Sequence, residues 1–137
     1  MLEALIGLAG IIVGAALTGF LDVLRDWRQE RAVARGAVRV LALDLIELDS
    51  QIRWTLDDGV VRLSEAEGGR ITETWLKQRD LLARKFTPDE WAPIARVFQT
   101  TLVWAERNGE TIDDADRRHL EAWLARVATA QPLLDRW

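Results

Sequence analysis

Residues 4–21 read ALIGLAGIIVGAALTGFL, eighteen residues without a charged side chain, and they set the architecture expected of the whole chain. As an α-helix rising ~1.5 Å per residue, this segment spans about 27 Å, close to the ~30 Å hydrocarbon core of a bilayer. A cleaved signal peptide is disfavoured because the residues before the segment contain no lysine or arginine and no small-residue cleavage site is recognisable. The sequence therefore predicts an uncleaved transmembrane anchor at residues 1–24.

The distribution of arginines predicts the orientation of this anchor. No lysine or arginine precedes the span, whereas five arginines follow it closely: Arg25, Arg28, Arg31, Arg35 and Arg39. Positive residues flanking a span stay on the cytoplasmic side. We therefore expect a single-pass protein of the bacterial inner membrane, with its N-terminus outside and residues 25–137 forming a cytoplasmic helical domain. Arg25 and Arg28 are expected to contact lipid headgroups.

Small residues recur along one side of the predicted anchor. Gly7, Gly10, Gly14 and Thr18 share a face at ~100° per residue, and Gly10 and Gly14 have the GxxxG spacing that allows two membrane helices to approach closely. Glycine is also common in membrane helices that do not associate, so incidental glycines are the alternative. We predict that this face mediates membrane-helix association and that the protein is a homo-oligomer.

The first helix is predicted to continue beyond the membrane. No proline or glycine pair interrupts the chain before Gly59, so the helix is expected to be continuous to about residue 56. Beyond the membrane, apolar residues recur at intervals of three and four, which indicates a helix packed along its length. The residues of this stripe are Trp27, Ala34, Val38, Leu41, Leu45, Leu48, Ile52 and Leu56.

Three further helices are predicted. The first follows a connector that Gly68 and Gly69 close, and it runs from a cap at Thr72 to about Lys85. The second begins with a capping box at Thr87, Pro88 and Glu90 and ends at residues 108–109, and the third enters through residues 113–114 and is limited by Pro132. Their predicted apolar faces are Trp75, Leu76, Leu82 and Phe86; Trp91, Ile94, Ala95, Phe98, Leu102 and Ala105; and Leu120, Trp123, Leu124 and Val127.

No segment shows the alternation typical of a β-strand, so the fold class is predicted to be all-α. The long N-terminal helix, transmembrane and then cytoplasmic, should pack with about three further helices as an antiparallel bundle. Most of the seven tryptophans fall at helical spacing on apolar faces and are interpreted as core residues. Trp27 and Trp137 are the two that we expect to lie at an interface.

The composition disfavours a catalytic or metal-binding role. The chain has no cysteine, which excludes thiolate metal sites. Its single histidine, His119, makes a His-based metal cluster or a Ser/His/Asp triad hard to build. No phosphate-binding loop is present, and the clustered acids, Asp57, Asp58 and residues 113–116, lie where helices end or begin. The domain after residue 39 is net acidic, which argues against nucleic acid as a partner. We predict no enzyme, no cofactor and no metal.

Two short patterns carry a resemblance. Trp75, Leu76, Arg79, Leu81 and Leu82 are followed by Glu90, Trp91, Ile94 and Phe98. With them the chain resembles a family of uncharacterised small membrane proteins of high-GC bacteria, which have an N-terminal span, an arginine-rich juxtamembrane helix and a short helical domain. The resemblance implies this architecture and no activity.

Two functions from different classes remain open at this stage. The first is a membrane-anchored interaction or scaffold protein that self-associates through its anchor and binds an unknown cytoplasmic protein. The alternative is a small pore-forming or membrane-perturbing effector, either holin-like or defence-associated. A water-filled pore requires a polar stripe in the span, and only Thr18 and the glycine backbone supply polarity there, so the first function is favoured.

Overall fold

The computed structural model describes the backbone of residues 2–137 and the side chains of residues 13–137. It contains four helices and, over these residues, no β-strand: α1 (Leu2–Asp58), α2 (Glu65–Ala83), α3 (Pro88–Ala105) and α4 (Asp114–Asp135). The all-α prediction is confirmed, as are the number of helices and the uninterrupted first helix, which ends two residues beyond the predicted position.

The chain divides into two compact units, residues 1–34 and residues 35–137. In the first unit, the side chains of residues 1–12 lie outside the described part, so half of the predicted span 4–21 is not covered. The described apolar side chains that follow are exposed: Val13, Leu17, Phe20, Leu21, Val23 and Trp27. Over the described residues, no helix has an apolar stretch long enough to cross a lipid bilayer.

The second unit is a helical bundle whose core receives side chains from all four helices. The predicted stripe of α1 is confirmed in this unit, because Val38, Leu41, Leu45, Leu48 and Ile52 are all buried. In the first unit the predicted packing of Trp27 is wrong, because this residue is 54% exposed. Its ring lies 5.0 Å beneath the guanidinium of Arg31 instead of packing into a core.

Contacts between the ends of the helices show that α4 runs antiparallel to α3 and to α1. Arg136 at the end of α4 bonds to Glu90 at the start of α3 at 2.6 Å. Arg117 near the start of α4 donates to the carbonyl oxygen of Leu56 near the end of α1 at 3.0 Å. Between these points, Trp123 Nε1 of α4 donates to the carbonyl oxygen of Val97 in α3 at 3.0 Å, which satisfies a buried indole N–H.

The predicted start of α2 at Thr72 is wrong, and so is the connector that was expected to contain Gly68 and Gly69. The helix begins at Glu65, where Ser64 and Glu67 form a reciprocal capping box. Gly68 lies inside the helix, at a point where a Cβ would overlap with the Cβ of Ala105 in α3. This glycine therefore permits close helix packing and does not break the helix.

The capping predictions for the other two helices are confirmed. Thr87 and Glu90 cap α3 reciprocally, with Pro88 in the first turn, and Asp113 caps α4. The prediction that Pro132 limits α4 is wrong, since the helix continues to Asp135. Leu134 is buried beyond the proline, and this burial offsets the backbone hydrogen bond that proline cannot donate.

Candidate functional site

The residues predicted to associate in the membrane lie in the first unit. Thr18 Oγ1 donates to the carbonyl oxygen of Gly14 at 2.9 Å, so the hydroxyl is satisfied within its own helix. A Cβ placed on Gly14 would meet no atom within 4 Å, so this part of the glycine face is open. Gly7 and Gly10 fall outside the residues with described side chains. Of the predicted headgroup contacts, Arg25 and Arg28 are both exposed.

The second unit contains an aromatic groove of about 400 Å³ between α2 and α3, which we call the α2/α3 groove. Three aromatic rings form its floor. Trp75 of α2 stacks on Trp91 and on Phe98 of α3, with centroid distances of 5.0 Å in both cases. Trp75 and Phe98 are almost completely buried, whereas Trp91 is only partly covered. Of these three rings, Trp91 is therefore the one that offers apolar surface to a bound molecule.

Two leucines of the predicted apolar faces stand at the edges of this groove. Leu76 is 51% exposed and Leu102 is 41% exposed, so the bundle does not fully cover either face. The core side of α3 is filled instead by Val97, Thr101 and Trp104. The apolar arcs of α2 and α3 are wider than the bundle covers, and their surplus residues face solvent across the groove.

Polar or charged residues make up four of the eleven that line the α2/α3 groove. Arg79 and Asp80 lie on the α2 side, with Arg79 Nε and Asp80 Oδ1 separated by 3.6 Å, and Gln99 lies on the α3 side. The hydroxyl oxygen of Thr72 is buried at the groove and has no hydrogen-bond partner among the described residues. A bound molecule thus meets apolar side chains together with a guanidinium, a carboxylate, an amide and a hydroxyl group that can form hydrogen bonds.

The aromatic surface continues beyond the groove. Phe86, in the turn after α2, lies 6.1 Å from the Trp91 ring and 5.6 Å from the ring of Trp137 at the C-terminus. Trp137 is 37% exposed. Phe86 itself is buried, so Trp137 is the member of this pair that adds exposed aromatic surface, and aromatic residues are enriched where proteins bind other proteins.

A buried ion pair joins α1 to α2. Asp44 is almost completely buried, its Oδ1 accepts from Arg70 Nη1 at 2.8 Å, and Glu47 binds the other end of the same guanidinium at 2.5 Å. Asp44 Oδ2 has no partner among the described residues. Burial raises the pKa of Asp44, although Arg70 opposes the shift. The sequence analysis missed this pair; its one signal was an acid lying between Leu41 and Leu45 on the apolar arc.

The described residues contain no group of three His, Asp or Glu side chains arranged to hold a metal ion. The chain matches no protein-family model, no curated protein and no solved structure. The resemblance to small membrane proteins of high-GC bacteria therefore stays a prediction. Five of the residues that carry it line the α2/α3 groove: Trp75, Leu76, Arg79, Trp91 and Phe98.

Proposed function

We propose that this chain is a membrane-anchored helical interaction protein that self-associates through its N-terminal helix and binds a protein partner in the cytoplasm. The observation that carries the proposal is the α2/α3 groove, where the exposed side chains of Leu76 and Leu102 and the partly covered ring of Trp91 lie together at the surface of the bundle. Contiguous apolar surface at the exterior of a small domain is typical of a binding site.

The shape of the groove favours an amphipathic helix as the occupant. The lining residues run from Thr72 to Ala83 on α2 and from Trp91 to Leu102 on α3. At ~1.5 Å per residue each wall is about 16 Å long, which corresponds to three helical turns. A helix of this length presents large apolar side chains at positions i, i+4 and i+7, and these are the anchors with which helices bind apolar grooves.

The membrane anchor is supported by the charge pattern of the chain. Residues 4–21 contain no charge, and the arginines begin at Arg25, immediately after the span. The lipid bilayer is therefore part of the proposal, with Arg25 and Arg28 at the headgroups of the cytoplasmic leaflet and the helical bundle beyond them.

Self-association is proposed through Gly7, Gly10, Gly14 and Thr18. The open surface at Gly14 and the internally satisfied hydroxyl of Thr18 support this, because both allow a second helix backbone to approach closely. Single cysteines can test it in native membranes, since the chain has none of its own. Disulfide cross-linking at positions 10 and 14 should exceed that at positions 12 and 16, and equal yields at all four would contradict association through the glycine face.

Photo-cross-linking tests the groove. A photoreactive side chain is placed at Leu76 or Leu102 in the full-length protein, with Leu43 on α1 as the control, since it is also exposed, at 66%. We expect a discrete adduct with a separate protein from the two groove positions and none from the control. The captured protein is then purified and titrated, and Leu102→Asp should weaken its binding about tenfold, because a charge is introduced into an apolar contact.

Two results would contradict the binding of a separate protein in the groove. An adduct at Leu76 or Leu102 with the mass of two copies of this chain would identify the occupant as a second copy. Equal capture of one partner at Leu43 and at the groove positions would show that the aromatic groove has no selective role. The Leu102→Asp variant should remain folded, because Leu102 lies at the rim and not in the core. An unchanged circular dichroism spectrum checks this.

A further inference from the structure

A second face of α1, within residues 35–137, carries large apolar side chains that the bundle does not cover. Val40, Leu43 and Trp54 are 43%, 66% and 56% exposed. A Cβ placed on Gly36 would meet no atom within 4 Å, so the helix surface is open there as well. At ~100° per residue, these four positions lie within about 60° of one another, on the side of α1 opposite its buried stripe.

The spacing of the residues on this face is that of a coiled coil. We call the face the outer stripe, and its positions follow one another at alternating intervals of four and three: Gly36, Val40, Leu43, Glu47, Ser50 and Trp54. A helix surface with this seven-residue repeat packs along its length against another helix. The stripe covers fewer than three repeats, which is short for a coiled coil that forms alone.

The two polar residues of the outer stripe have partners within the chain. Glu47 Oε2 accepts from Arg70 Nη2 at 2.5 Å, and Ser50 Oγ donates to the carbonyl oxygen of Ile46 at 3.1 Å. Arg70 compensates the charge of Glu47, so two such stripes can meet without a pair of uncompensated like charges. A polar residue in a coiled-coil stripe lowers the stability of the pair and restricts its register.

Charges on the flanks of the outer stripe are complementary to a second copy of the same stripe. Arg39 and Arg53 lie on one flank, and Asp44 and Asp58 lie on the other. When two copies pack in parallel about a two-fold axis, the basic flank of each faces the acidic flank of the other. An antiparallel pair instead places Arg39 near Arg53 of the second copy, which is a contact between like charges. The charge pattern therefore favours one direction.

Arg53 and Asp58 are the flanking residues that can reach a second copy. Their side chains are 60% and 48% exposed. Each one already pairs with a residue one turn away on its own chain, so a contact between copies would extend these pairs into a row of alternating charges. Asp44 is buried and contributes less to such a contact.

We propose that the outer stripe of α1 packs in parallel against the outer stripe of a second copy of this chain. The inference rests on the self-association proposed above, because a stripe this short needs another contact to hold the copies together. Two copies inserted in one membrane with the same orientation can be related by an axis along the bilayer normal, which suits a parallel pair. The outer stripe shares no residue with the α2/α3 groove.

Disulfide cross-linking in native membranes tests both the contact and its direction. Single cysteines replace Leu43, near the middle of the stripe, or Trp54, at its end, in the otherwise cysteine-free full-length chain. Val103→Cys is the control, because Val103 is also exposed, at 59%, and lies on α3. We expect Leu43→Cys and Trp54→Cys to form dimers at about five times the yield of the control, since equivalent positions of a parallel pair face each other.

Gly14→Cys separates this contact from association through the anchor. Dimers at position 14 with only control yields at Leu43 and Trp54 would overturn the outer-stripe contact and leave the anchor contact intact. If none of the three positions forms dimers, both proposals are wrong. Dimers from Leu43→Cys without dimers from Trp54→Cys would contradict parallel packing, because an antiparallel pair brings equivalent positions together only at its centre.

A charge within the stripe provides a second test. Leu43→Asp, added to Trp54→Cys, should lower the dimer yield about tenfold, because a carboxylate from each copy enters an apolar contact. Val103→Asp in the same background is the matched control and should leave the yield unchanged. Leu43 lies at the surface, so the variant should keep the circular dichroism spectrum of the parent protein. An unchanged yield with Leu43→Asp, or equal losses in both variants, would overturn the proposal.

Photo-cross-linking at Leu43 identifies the occupant of the stripe. The photoreactive variant should form an adduct with the mass of two copies of this chain. An adduct with a different protein at this position would overturn the proposal, because it would assign the outer stripe to that protein.

Discussion

Phe20 and Phe98 are the same side chain in two units of one molecule, and their surroundings differ completely. Phe20, in residues 1–34, is 63% exposed, whereas Phe98, in residues 35–137, is 1% exposed. The contrast extends to α1, where Leu17 and Leu21 are more than half exposed and Leu41 and Leu45 are fully buried. Similar large apolar residues are therefore buried in the core of the second unit and exposed among the described side chains of the first.

This difference shows whether each unit can cover its own apolar side chains. Covering a large apolar side chain is worth about 1.5 to 3 kcal/mol relative to leaving it in water. In the second unit α2, α3 and α4 provide this cover. In the first unit, Val13, Leu17, Phe20, Leu21 and Val23 all lack it among the described residues. Lipid or a second copy of the helix would supply the missing cover, and both are parts of the proposed function.

The largest expected effect comes from exchanging the two phenylalanines for alanine. Phe98→Ala should lower the free energy of unfolding by about 3 to 5 kcal/mol, because it leaves a cavity beside Trp75. Phe20→Ala should leave the unfolding of the bundle unchanged. Urea unfolding of the full-length protein in zwitterionic micelles, followed by tryptophan fluorescence, measures both. Equal losses in the two variants would remove the distinction between the units.

Glycines provide a second comparison. Gly68→Ala should destabilise the bundle by about 1 to 3 kcal/mol, because the new methyl group overlaps with Ala105. Gly69→Ala is the matched control, since a Cβ there meets no atom within 4 Å, and the better helix propensity of alanine should raise stability by up to about 1 kcal/mol. The same urea experiment applies. A stable Gly68→Ala variant would show that α2 and α3 are not packed as closely as described.

The buried ion pair gives a smaller effect. Arg70→Met should cost about 1 to 2 kcal/mol at neutral pH, because the buried Asp44 carboxylate loses its partner while Arg70 itself is half exposed. Since burial raises the pKa of Asp44, its protonation at acidic pH removes the unpaired charge, so the loss should shrink as pH falls. Arg53→Met, which breaks an exposed pair with Asp49, is the control and should cost little.

Arg107, in the turn after α3, donates to both carboxylate oxygens of Asp116 in α4 at 2.7 and 2.8 Å. This contact predicts the smallest change in stability, which appears in acid. The pKa of Asp116 is lowered from 3.8 to about 2, so the folded state binds this proton more weakly than the unfolded chain. Its contribution to stability is therefore complete above pH 3.8 and is lost as the pH falls towards 2. The stability difference between the parent protein and Asp116→Asn should narrow over this interval. A difference that widens there would contradict the assigned contact.

Much of the fold could be predicted from the sequence because its signals are local. The capping box at Thr87 and Glu90 and the stripe from Val38 to Ile52 depend on residues within one helix, and both are confirmed. The start of α2 was missed although Ser64 and Glu67 carry the same local signal, because Gly68 and Gly69 were interpreted as part of a connector. The packing role of Gly68 could not be predicted, since it depends on Ala105, thirty-seven positions further along the chain. A glycine that breaks a helix and one that permits close packing are identical in sequence.

The candidate sites were harder to predict than the fold. Periodicity placed Leu76 and Leu102 on apolar faces, which is correct, but it does not say how much of each face the neighbouring helices cover. The α2/α3 groove is this uncovered remainder. The pair formed by Asp44 and Arg70 joins two helices across twenty-six positions of the chain, so the sequence alone does not indicate that these side chains meet.

The proposed explanation of this contrast is that the first unit enters a membrane. Alkaline carbonate washing of membranes from cells that express the full-length chain tests this claim most directly. The account predicts that the protein stays in the membrane pellet and is released only by detergent, while a chain that begins at residue 25 appears in the supernatant. Release of the full-length chain by carbonate alone would contradict the anchor and leave the exposed apolar residues of the first unit to a protein partner.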